Sequence, residues 1–319
     1  MRTDEKQYYA ISEELNNKLK DRGYRQVAVE DEPLFDTYYD KMNAHWSSST
    51  CVCNMICWQD TFPTFFKIAD GMLLCLNYVS EDGVLTGIPM IGEYTEESVK
   101  KAVTTLKSDF EYFGEEFSII DVTNWMLPYF EKSGVEFEVD DRRDLMDYVF
   151  TPEMFLAGME KQDDRYRYRY FMRKNNYEVV EITPEHADEI RELMERIWCE
   201  GLSCSHCHYG CLSNVVVTLT KVFDKLRVHG LLVRVDGKAV GFAMCSVKRD
   251  FCVFQYKNAD NRIKGLNEFL LRETFDRYMG GVTEINYTED IGLENLRRYK
   301  MNMAPEFKLS SKMILTAKG

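Results

Sequence analysis

Residues 231–256 read LLVRVDGKAVGFAMCSVKRDFCVFQY and predict the central strands of a sheet. The stretch contains three apolar runs rich in β-branched and aromatic residues: Leu231–Val235, Ala239–Val247 and Phe251–Tyr256. The first break, Asp236-Gly237, is a dipeptide that favours a tight hairpin turn, and the second break is the polar segment Lys248–Asp250. We therefore expect a meander of three antiparallel strands.

The segments around this meander switch between helical and strand periodicity. Directly after it, apolar residues at helical spacing predict a helix, which is followed by a strand, a second helix and a last strand. The predicted elements of this half are helix 152–175, strand 177–182, helices 184–198 and 212–226, the three strands, helix 266–279, strand 283–288, helix 293–300 and strand 307–316.

The first half of the chain predicts the same order of elements. Asp70-Gly71 and Asp82-Gly83 separate three short apolar runs, as Asp236-Gly237 does in the second half. The predicted elements are helices 3–22 and 33–43, strands 64–69, 72–79 and 84–88, helix 94–113, strand 117–122, helix 124–132 and strands 135–139 and 145–150. The two halves share no residue-level repeat, so the similarity lies in topology alone, and it predicts the α+β class.

Length and composition agree with two domains. The chain has 319 residues, 45% of them hydrophobic, with 19 Phe, 19 Tyr and 4 Trp, which is enough apolar area for two cores. No run is long and apolar enough for a transmembrane segment, and Met1–Lys20 is too polar for a signal peptide. These features predict a cytoplasmic protein.

The charge is unevenly distributed. The chain has a net charge of −13, which argues against a general nucleic-acid coat protein. Residues 1–150 hold 29 acidic and 14 basic residues, whereas residues 151–319 hold 24 acidic and 26 basic residues. We therefore expect an anionic ligand to prefer the second half.

A cysteine cluster follows the helix that ends near Trp198. Its spacing is C-x4-C-x2-C-x3-C, with two histidines inside it, and its members are Cys199, Cys204, Cys207 and Cys211. Thiolates at such spacing can hold zinc or an iron–sulfur cluster. The two separated C-x2-C pairs of a zinc ribbon are absent, however, so we favour free thiols that pack over a metal site, and a redox pair is a third alternative. No tightly bound cofactor is predicted.

The loop Arg262–Asn267 lies between the last strand of the meander and the next helix. Together with the element order, it resembles the acyltransferases of the GNAT fold, whose loop of pattern Q/R-x-x-G-x-G/A binds the donor's pyrophosphate at a helix N-terminus. Its residues here are Arg262, Ile263, Lys264, Gly265, Leu266 and Asn267, with Asn267 in place of the final small residue. A helix N-terminus presents unpaired backbone N–H groups and a positive dipole end, and glycine permits close approach of a phosphate. The alternative is a basic loop that only caps a helix.

The segment EDIGLENLRRYK, residues 289–300, followed by Pro305, makes the resemblance more specific. It resembles the stand-alone relatives of the phosphatidylglycerol lysyltransferase C-terminal domain, a family of two GNAT-like domains in tandem, and the resemblance covers roughly Leu34–Leu315. It implies an N-terminal helical extension (1–32), a first GNAT-like domain (33–150), a basic linker helix (151–176) and a second GNAT-like domain (177–319).

The resemblance also implies an activity. It is the transfer of an acyl or aminoacyl group from a phosphate-bearing donor, acyl-coenzyme A or aminoacyl-tRNA, to an amine or hydroxyl of a small-molecule or lipid acceptor. The alternative is a non-catalytic module that binds a ligand or a lipid head group on a degenerate transferase fold.

Three candidate catalytic residues follow from this resemblance. Tyr299 lies where many GNAT enzymes have a tyrosine that protonates the leaving group, which is chemically reasonable for a phenol; otherwise it packs on the last helix. Glu289 and Asp290 follow the strand 283–288, where either can accept the proton of an acceptor amine; otherwise they are ordinary acidic residues before a helix.

The segment Arg165–Lys174 reads RYRYRYFMRK, with five basic residues and no acid. Basic residues that alternate with aromatic residues suit a nucleic-acid or phospholipid phosphate, so this segment is the predicted contact for tRNA. The alternative is a solvated linker helix whose tyrosines pack between domains.

Overall fold

The computed structural model describes residues 9–42, 47–199 and 211–318. The chain divides into two compact units. Unit 1 comprises Met1–Arg143 and Ser310–Gly319, and unit 2 comprises Asp144–Leu309. Each unit has a mixed sheet of seven strands flanked by helices, so the predicted α+β class with two GNAT-like domains is confirmed.

The elements are numbered in chain order. The strands are β1 (Arg25–Gln26), β2 (Thr64–Ala69), β3 (Met72–Val79), β4 (Val84–Ile91), β5 (Ser118–Val122), β6 (Phe137–Asp141), β7 (Asp147–Phe150), β8 (Tyr177–Glu181), β9 (Val228–Val235), β10 (Lys238–Lys248), β11 (Phe251–Ala259), β12 (Glu284–Asn286), β13 (Lys308–Ser310) and β14 (Met313–Ala317). The helices are α1 (Glu13–Asp21), α2 (Glu32–Tyr39), α3 (Val52–Cys57), α4 (Glu96–Phe113), α5 (Leu127–Glu131), α6 (Pro152–Met159), α7 (Gln162–Lys174), α8 (Ala187–Ile197), α9 (Leu212–Lys221), α10 (Leu266–Thr274) and α11 (Glu294–Met303). A π-helical segment, Phe275–Met279, continues α10.

The sheet of unit 1 has the order β1-β2-β3-β4-β5-β14-β6. The predicted meander forms β2, β3 and β4, which pair antiparallel, and β5 then lies parallel to β4. The strand beside β5 is β14, from the C-terminal end of the chain. The run predicted as one strand, 307–316, is therefore two strands that belong to different sheets.

The sheet of unit 2 has the order β13-β7-β12-β11-β10-β9-β8. The meander is again antiparallel, and β12 pairs parallel with β11 from Phe251 to Val253. The neighbour of β12 on its other side is β7, which the sequence placed at the end of the first domain. Strand β14 lies outside the predicted limits of the first domain and pairs antiparallel with β5, the strand after α4. Strand β7 lies outside the predicted limits of the second domain and pairs antiparallel with β12, the strand after α10.

The helix predicted at 152–175 is two helices, α6 and α7, with a break at Glu160 and Lys161. Phe171 of α7 is buried and its ring lies 4.5 Å from that of Phe269 on α10. Tyr168, one turn earlier, stacks on the same ring at 5.8 Å. Helix α7 therefore packs against α10 of unit 2, and burial of its aromatic face stabilises its position.

A search for membrane-spanning helices found no sufficiently long and apolar helix among the described residues.

We expect Leu315→Ala to lower the free energy of unfolding of unit 1 by about 2–5 kcal/mol, the usual cost of a large-to-small change in a core. Leu315 is fully buried in β14, between β5 and β6. Chemical denaturation of the full chain measures the change. The matched control is Val139→Ala, because Val139 is the strand partner of Leu315 but is 45% exposed, and this change should cost no more than about 0.5 kcal/mol. Equal costs would contradict the position of β14 in the interior of the sheet.

Candidate active site

A cleft of about 990 Å³ opens in unit 2 between α7, α10 and α11. Tyr299 and Asn267, two of the predicted site residues, line it. Its charged lining consists of five arginines and four acidic residues: Arg165, Arg167, Arg169, Arg272, Arg298, Glu160, Asp164, Glu268 and Asp276. The cleft is thus polar and mixed in charge, with a small excess of positive charge.

Strands β11 and β12 separate close to this cleft. Their parallel pairing ends at Val253 and Asn286, whereas β11 continues to Ala259. The register of β10 and β11 shifts by one residue at the same level, because Met244 pairs with Tyr256 and Cys245 pairs with Phe254. Gln255 is the extra residue of this β-bulge, a feature that often lies beside active sites because it redirects side chains and backbone groups.

Lys257, two residues beyond the bulge, connects the strand to the cleft. Its Nζ donates to Asn267 Oδ1 at 2.7 Å and to the phenolic oxygen of Tyr299 at 3.1 Å. Asn267 in turn donates from Nδ2 to Asn261 Oδ1 at 3.0 Å. The residue that departs from the GNAT loop pattern, Asn267, therefore positions a lysine. The sequence interpretation missed Lys257, which directly follows the strand predicted at 251–256.

Tyr287 supports Tyr299 from the core side. It is 5% exposed, and burial raises the pKa of its phenol well above the ordinary value, with a further contribution from its hydrogen bond with Tyr299. The Tyr299 oxygen accepts from Lys257 at 3.1 Å, so the Tyr299 hydroxyl can donate to a group in the cleft.

The Asp290 carboxylate lies in a buried network of hydrogen bonds. It is fully buried, and its carboxylate accepts from Tyr148 Oη at 2.7 Å, from Arg297 Nε and Nη2 at 3.0 Å each, and from the Gly292 amide at 3.0 Å. Burial by itself raises the pKa of Asp290, but the bonds from Arg297, Tyr148 and Gly292 outweigh burial and hold the pKa well below its ordinary value. Such a carboxylate is a poor proton acceptor, which argues against Asp290 as the catalytic base.

Lys300 fixes the same loop from within. Its Nζ is buried and donates to the carbonyls of Tyr287 and Glu289 at 2.6 and 2.7 Å and to Thr288 Oγ1 at 3.0 Å. Glu289, the second predicted base, thus contributes its backbone carbonyl to this network. These bonds stabilise positive φ angles at Thr288 (56°) and Ile291 (47°), a conformation that is costly for β-branched residues.

Half of the backbone amides of the predicted phosphate loop have acceptors within the protein. The Arg262 amide donates to Asp260 Oδ1 at 3.1 Å, the Ile263 amide to Asp260 O at 3.0 Å and the Leu266 amide to Ile263 O at 3.3 Å. The guanidinium of Arg262 binds the Asp260 carboxylate at 2.7 and 2.8 Å. Three of the six amides and the arginine are therefore engaged by internal acceptors.

Helix α7 packs against Lys264 and Gly265 of this loop. Gly265 has φ +86°, and a Cβ there would overlap the carbonyl oxygen of Arg167 and lie 3.1 Å from Phe171 Cβ. The Lys264 ammonium lies over the rings of Tyr166 and Tyr170, at 5.1 and 4.9 Å. Gly265 thus permits close approach of a helix backbone, which is a different reason for glycine from the predicted approach of a pyrophosphate.

The family model for the C-terminal region of phosphatidylglycerol lysyltransferase matches residues 41–310. The chain belongs to this family. It is a family of aminoacyl- and acyltransferases, as the sequence resemblance implied. A search of curated proteins found no match to the sequence.

Solved structures agree with the fold of this phosphatidylglycerol lysyltransferase family. A conserved protein of unknown function from Bacteroides thetaiotaomicron has 21% identity and a TM-score of 0.80, over 93% of this chain and 99% of that one. L-PGS from Bacillus licheniformis has 11% identity and a TM-score of 0.59, over 98% and 94% of the two chains. FemX has 11% identity and a TM-score of 0.60, over 92% and 96%.

The basic segment of this family member contributes arginines to the cleft through α7. Arg167 pairs with Glu268 at 3.1 Å, and Arg165 lies 3.8 Å from Glu160, both at the cleft wall. These neighbouring carboxylates balance part of the positive charge of the segment Arg165–Lys174. Contact between this segment and tRNA remains a prediction.

The cysteine cluster is only partly described. Cys199 is buried and Cys211 is half-buried, whereas Cys204 and Cys207 lie outside the described residues. Within residues 9–42, 47–199 and 211–318, no group of three or more histidine, cysteine or acidic side chains is arranged to hold a metal ion.

We expect Asp290→Asn to lower the free energy of unfolding of unit 2 by about 3 kcal/mol at pH 7, because it breaks a buried ion pair with Arg297. The pKa of Asp290 is lower in the folded chain than the ordinary value near 3.9, so the unfolded chain binds the additional proton as the pH falls. The contribution is complete above about pH 5 and decreases as the pH falls below about 4. Denaturation at several pH values measures this dependence.

The control for that experiment is Asp144→Asn. Asp144 binds the same arginine, Nη2 of Arg297, at 2.7 Å, but its side chain is 59% exposed, so its loss should cost at most about 1 kcal/mol. The structural role of Asp290 would be contradicted if Asp290→Asn lowered the free energy of unfolding no more than Asp144→Asn does. It would also be contradicted if the loss caused by Asp290→Asn stayed constant down to pH 3.

Proposed function

We propose that the protein transfers an aminoacyl group from an aminoacyl-tRNA to an amine or hydroxyl acceptor, with the reaction in the cleft of unit 2. The observation that carries this proposal is the closed N-terminus of α10. A coenzyme A pyrophosphate would need the amides of Arg262–Asn267, yet internal acceptors bind three of them and a carbonyl of α7 faces Gly265. A carbonyl oxygen repels a phosphate, so this end of α10 does not suit such a donor.

The open side of the site suits a larger ester donor. The cleft of about 990 Å³ leads to Lys257 and Tyr299, and arginines of α7 and α11 lie along it. Arginine binds the phosphates of a nucleic-acid backbone through paired N–H donors. The end of an aminoacylated RNA therefore has positive charge along its path and a proton donor at its ester.

The reaction assigns a role to each side chain. The acceptor nitrogen or oxygen attacks the ester carbonyl, and the oxyanion that develops is stabilised by the Lys257 ammonium. The new bond to the acceptor forms as the ester C–O bond breaks, and Tyr299 gives its proton to the departing ribose oxygen. The acceptor loses its proton to water, and a proton from water restores Tyr299.

The acceptor class follows from the family alone. The description of this family names a lysyltransferase that acts on phosphatidylglycerol, so a hydroxyl-bearing lipid and a lysyl donor are the first pair to assay. The rival functions are transfer from acyl-coenzyme A and a binding module without activity, and the experiment below distinguishes both.

We expect Tyr299→Phe and Lys257→Met each to lower the transfer rate by about 10² or more, with donor affinity retained, because each removes a group that acts in the transition state. The assay follows radiolabelled aminoacyl groups from total aminoacyl-tRNA to phosphatidylglycerol vesicles and to a small amine. Thiol release from acetyl-coenzyme A is measured in parallel.

The matched control is Tyr112→Phe, because Tyr112 is a 45% exposed tyrosine of unit 1 and lies outside the cleft. Its rate should equal that of the unchanged protein. Transfer from acetyl-coenzyme A alone would favour the acyl-coenzyme A function, and no transfer from either donor would favour the binding module. Full activity of both cleft variants would remove Lys257 and Tyr299 from the mechanism.

A further inference from the structure

Unit 1 repeats the strand geometry that forms the site of unit 2. Its parallel strands β4 and β5 pair at Gly87 and Ile119, and β4 continues to Ile91. The register of β3 and β4 shifts between Leu73 and Cys75, with the extra residue in β4, as Gln255 is the extra residue of β11. The strands of unit 1 therefore also separate at their carboxyl ends.

The backbone at this end shows the same type of strain in both units. Asp121, near the end of β5, has φ +61°, and Thr288, shortly after β12, has φ +56°. Residues other than glycine are uncommon in this region, and such positions concentrate at ligand sites. The shared bulge, separation and left-handed residue make the end of β4 and β5 the counterpart of the site in unit 2.

Polar side chains occupy that place in unit 1. Lys312 Nζ donates to Ser48 Oγ at 2.9 Å, and both residues are 4% exposed. Ser311 Oγ accepts from the Asn124 amide at 3.0 Å, which ties the start of β14 to the loop after β5. The ring of Trp125, in the same loop, lies 4.7 Å from that of Tyr94, just beyond β4. The polar groups thus come from segments that meet at the separated strand ends.

Two buried polar atoms of this loop lack an internal partner. Thr123 is 4% exposed, and its Oγ1 makes no hydrogen bond within the described part of the chain. The same holds for Nε1 of Trp125, which is shielded from solvent. Native proteins rarely leave a buried donor without a partner. A bound ligand would satisfy both atoms.

We infer that unit 1 contains a second ligand site, at the carboxyl ends of β4 and β5, for a small oxyanion such as a carboxylate or phosphate. The chemistry of the groups defines this class. Lys312 provides a cationic donor, the indole N–H of Trp125 can only donate, and the hydroxyls of Ser48 and Thr123 can donate as well. Hydrogen bonds from such donors to an anion are charge-assisted and stronger than neutral ones.

Equilibrium dialysis of the full chain tests this site, with radiolabelled acetate and radiolabelled inorganic phosphate as separate probes at constant ionic strength. We expect saturable binding of one of them at one equivalent per chain. Trp125→Phe removes the N–H and keeps a ring, and Lys312→Met removes the charge and keeps the length. Each should weaken binding at least about tenfold, the effect of one lost charge-assisted hydrogen bond.

The control is Lys308→Met, because Lys308 is an exposed lysine of β13 and should not affect binding. Circular dichroism verifies that each variant folds, and Trp125→Phe remains informative if Lys312→Met does not fold. The comparison of acetate with phosphate identifies which oxyanion the site takes. Absence of saturable binding for both probes, or unchanged binding in a folded Trp125→Phe variant, would overturn the inference. Because the readout is binding alone, its result is independent of aminoacyl transfer.

Discussion

The close contact between α7 and the N-terminus of α10 determines what unit 2 can bind. Gly265 makes this contact possible, because its positive φ and missing Cβ leave room for the carbonyl of Arg167. Phe171 and Tyr168 then stack on Phe269 and hold the two helices together. As a result, the helix terminus that would receive a pyrophosphate is covered, and α7 becomes a wall of the open cleft. A loop of similar sequence thus serves helix packing here.

The loop after β12 is the second feature that shapes the cleft of unit 2. Asp290 and Lys300 use buried, charge-assisted hydrogen bonds to fix the loop after β12, including residues with positive φ. Tyr287 begins this loop and Tyr299 lies on the helix that follows it. Because Tyr299 contacts Lys257 of β11, the conformation of this loop helps to set the distance between these two side chains. The Asp290 carboxylate and the backbone carbonyl of Glu289, the residues predicted as proton acceptors, take part in the hydrogen bonds that fix this loop.

The sequence predicted the meanders well because their signals are local. Asp-Gly turns between apolar runs predict hairpins wherever they occur, and both meanders follow that rule. The positions of β7 and β14 could not be predicted, because strand pairing across more than a hundred residues leaves no local pattern. Lys257 was missed because its partners Asn267 and Tyr299 come from two other elements, whose approach to β11 depends on the fold. The charge of Asp290 was visible in the sequence, whereas its enclosure by Arg297 and Tyr148 depends on the fold.

The most direct test of this account is calorimetric titration of the full chain with two ligands, coenzyme A and a short RNA hairpin that carries a non-hydrolysable 3′-aminoacyl amide. Because α7 covers the N-terminus of α10, we expect no saturable binding of coenzyme A up to about 1 mM, a concentration that corresponds to roughly −4 kcal/mol. The RNA should bind at least about tenfold more tightly than that limit, with an affinity that falls as salt is added. Micromolar binding of coenzyme A that is lost on Arg262→Ala would contradict the account, because it would show that the loop is open to a pyrophosphate in solution.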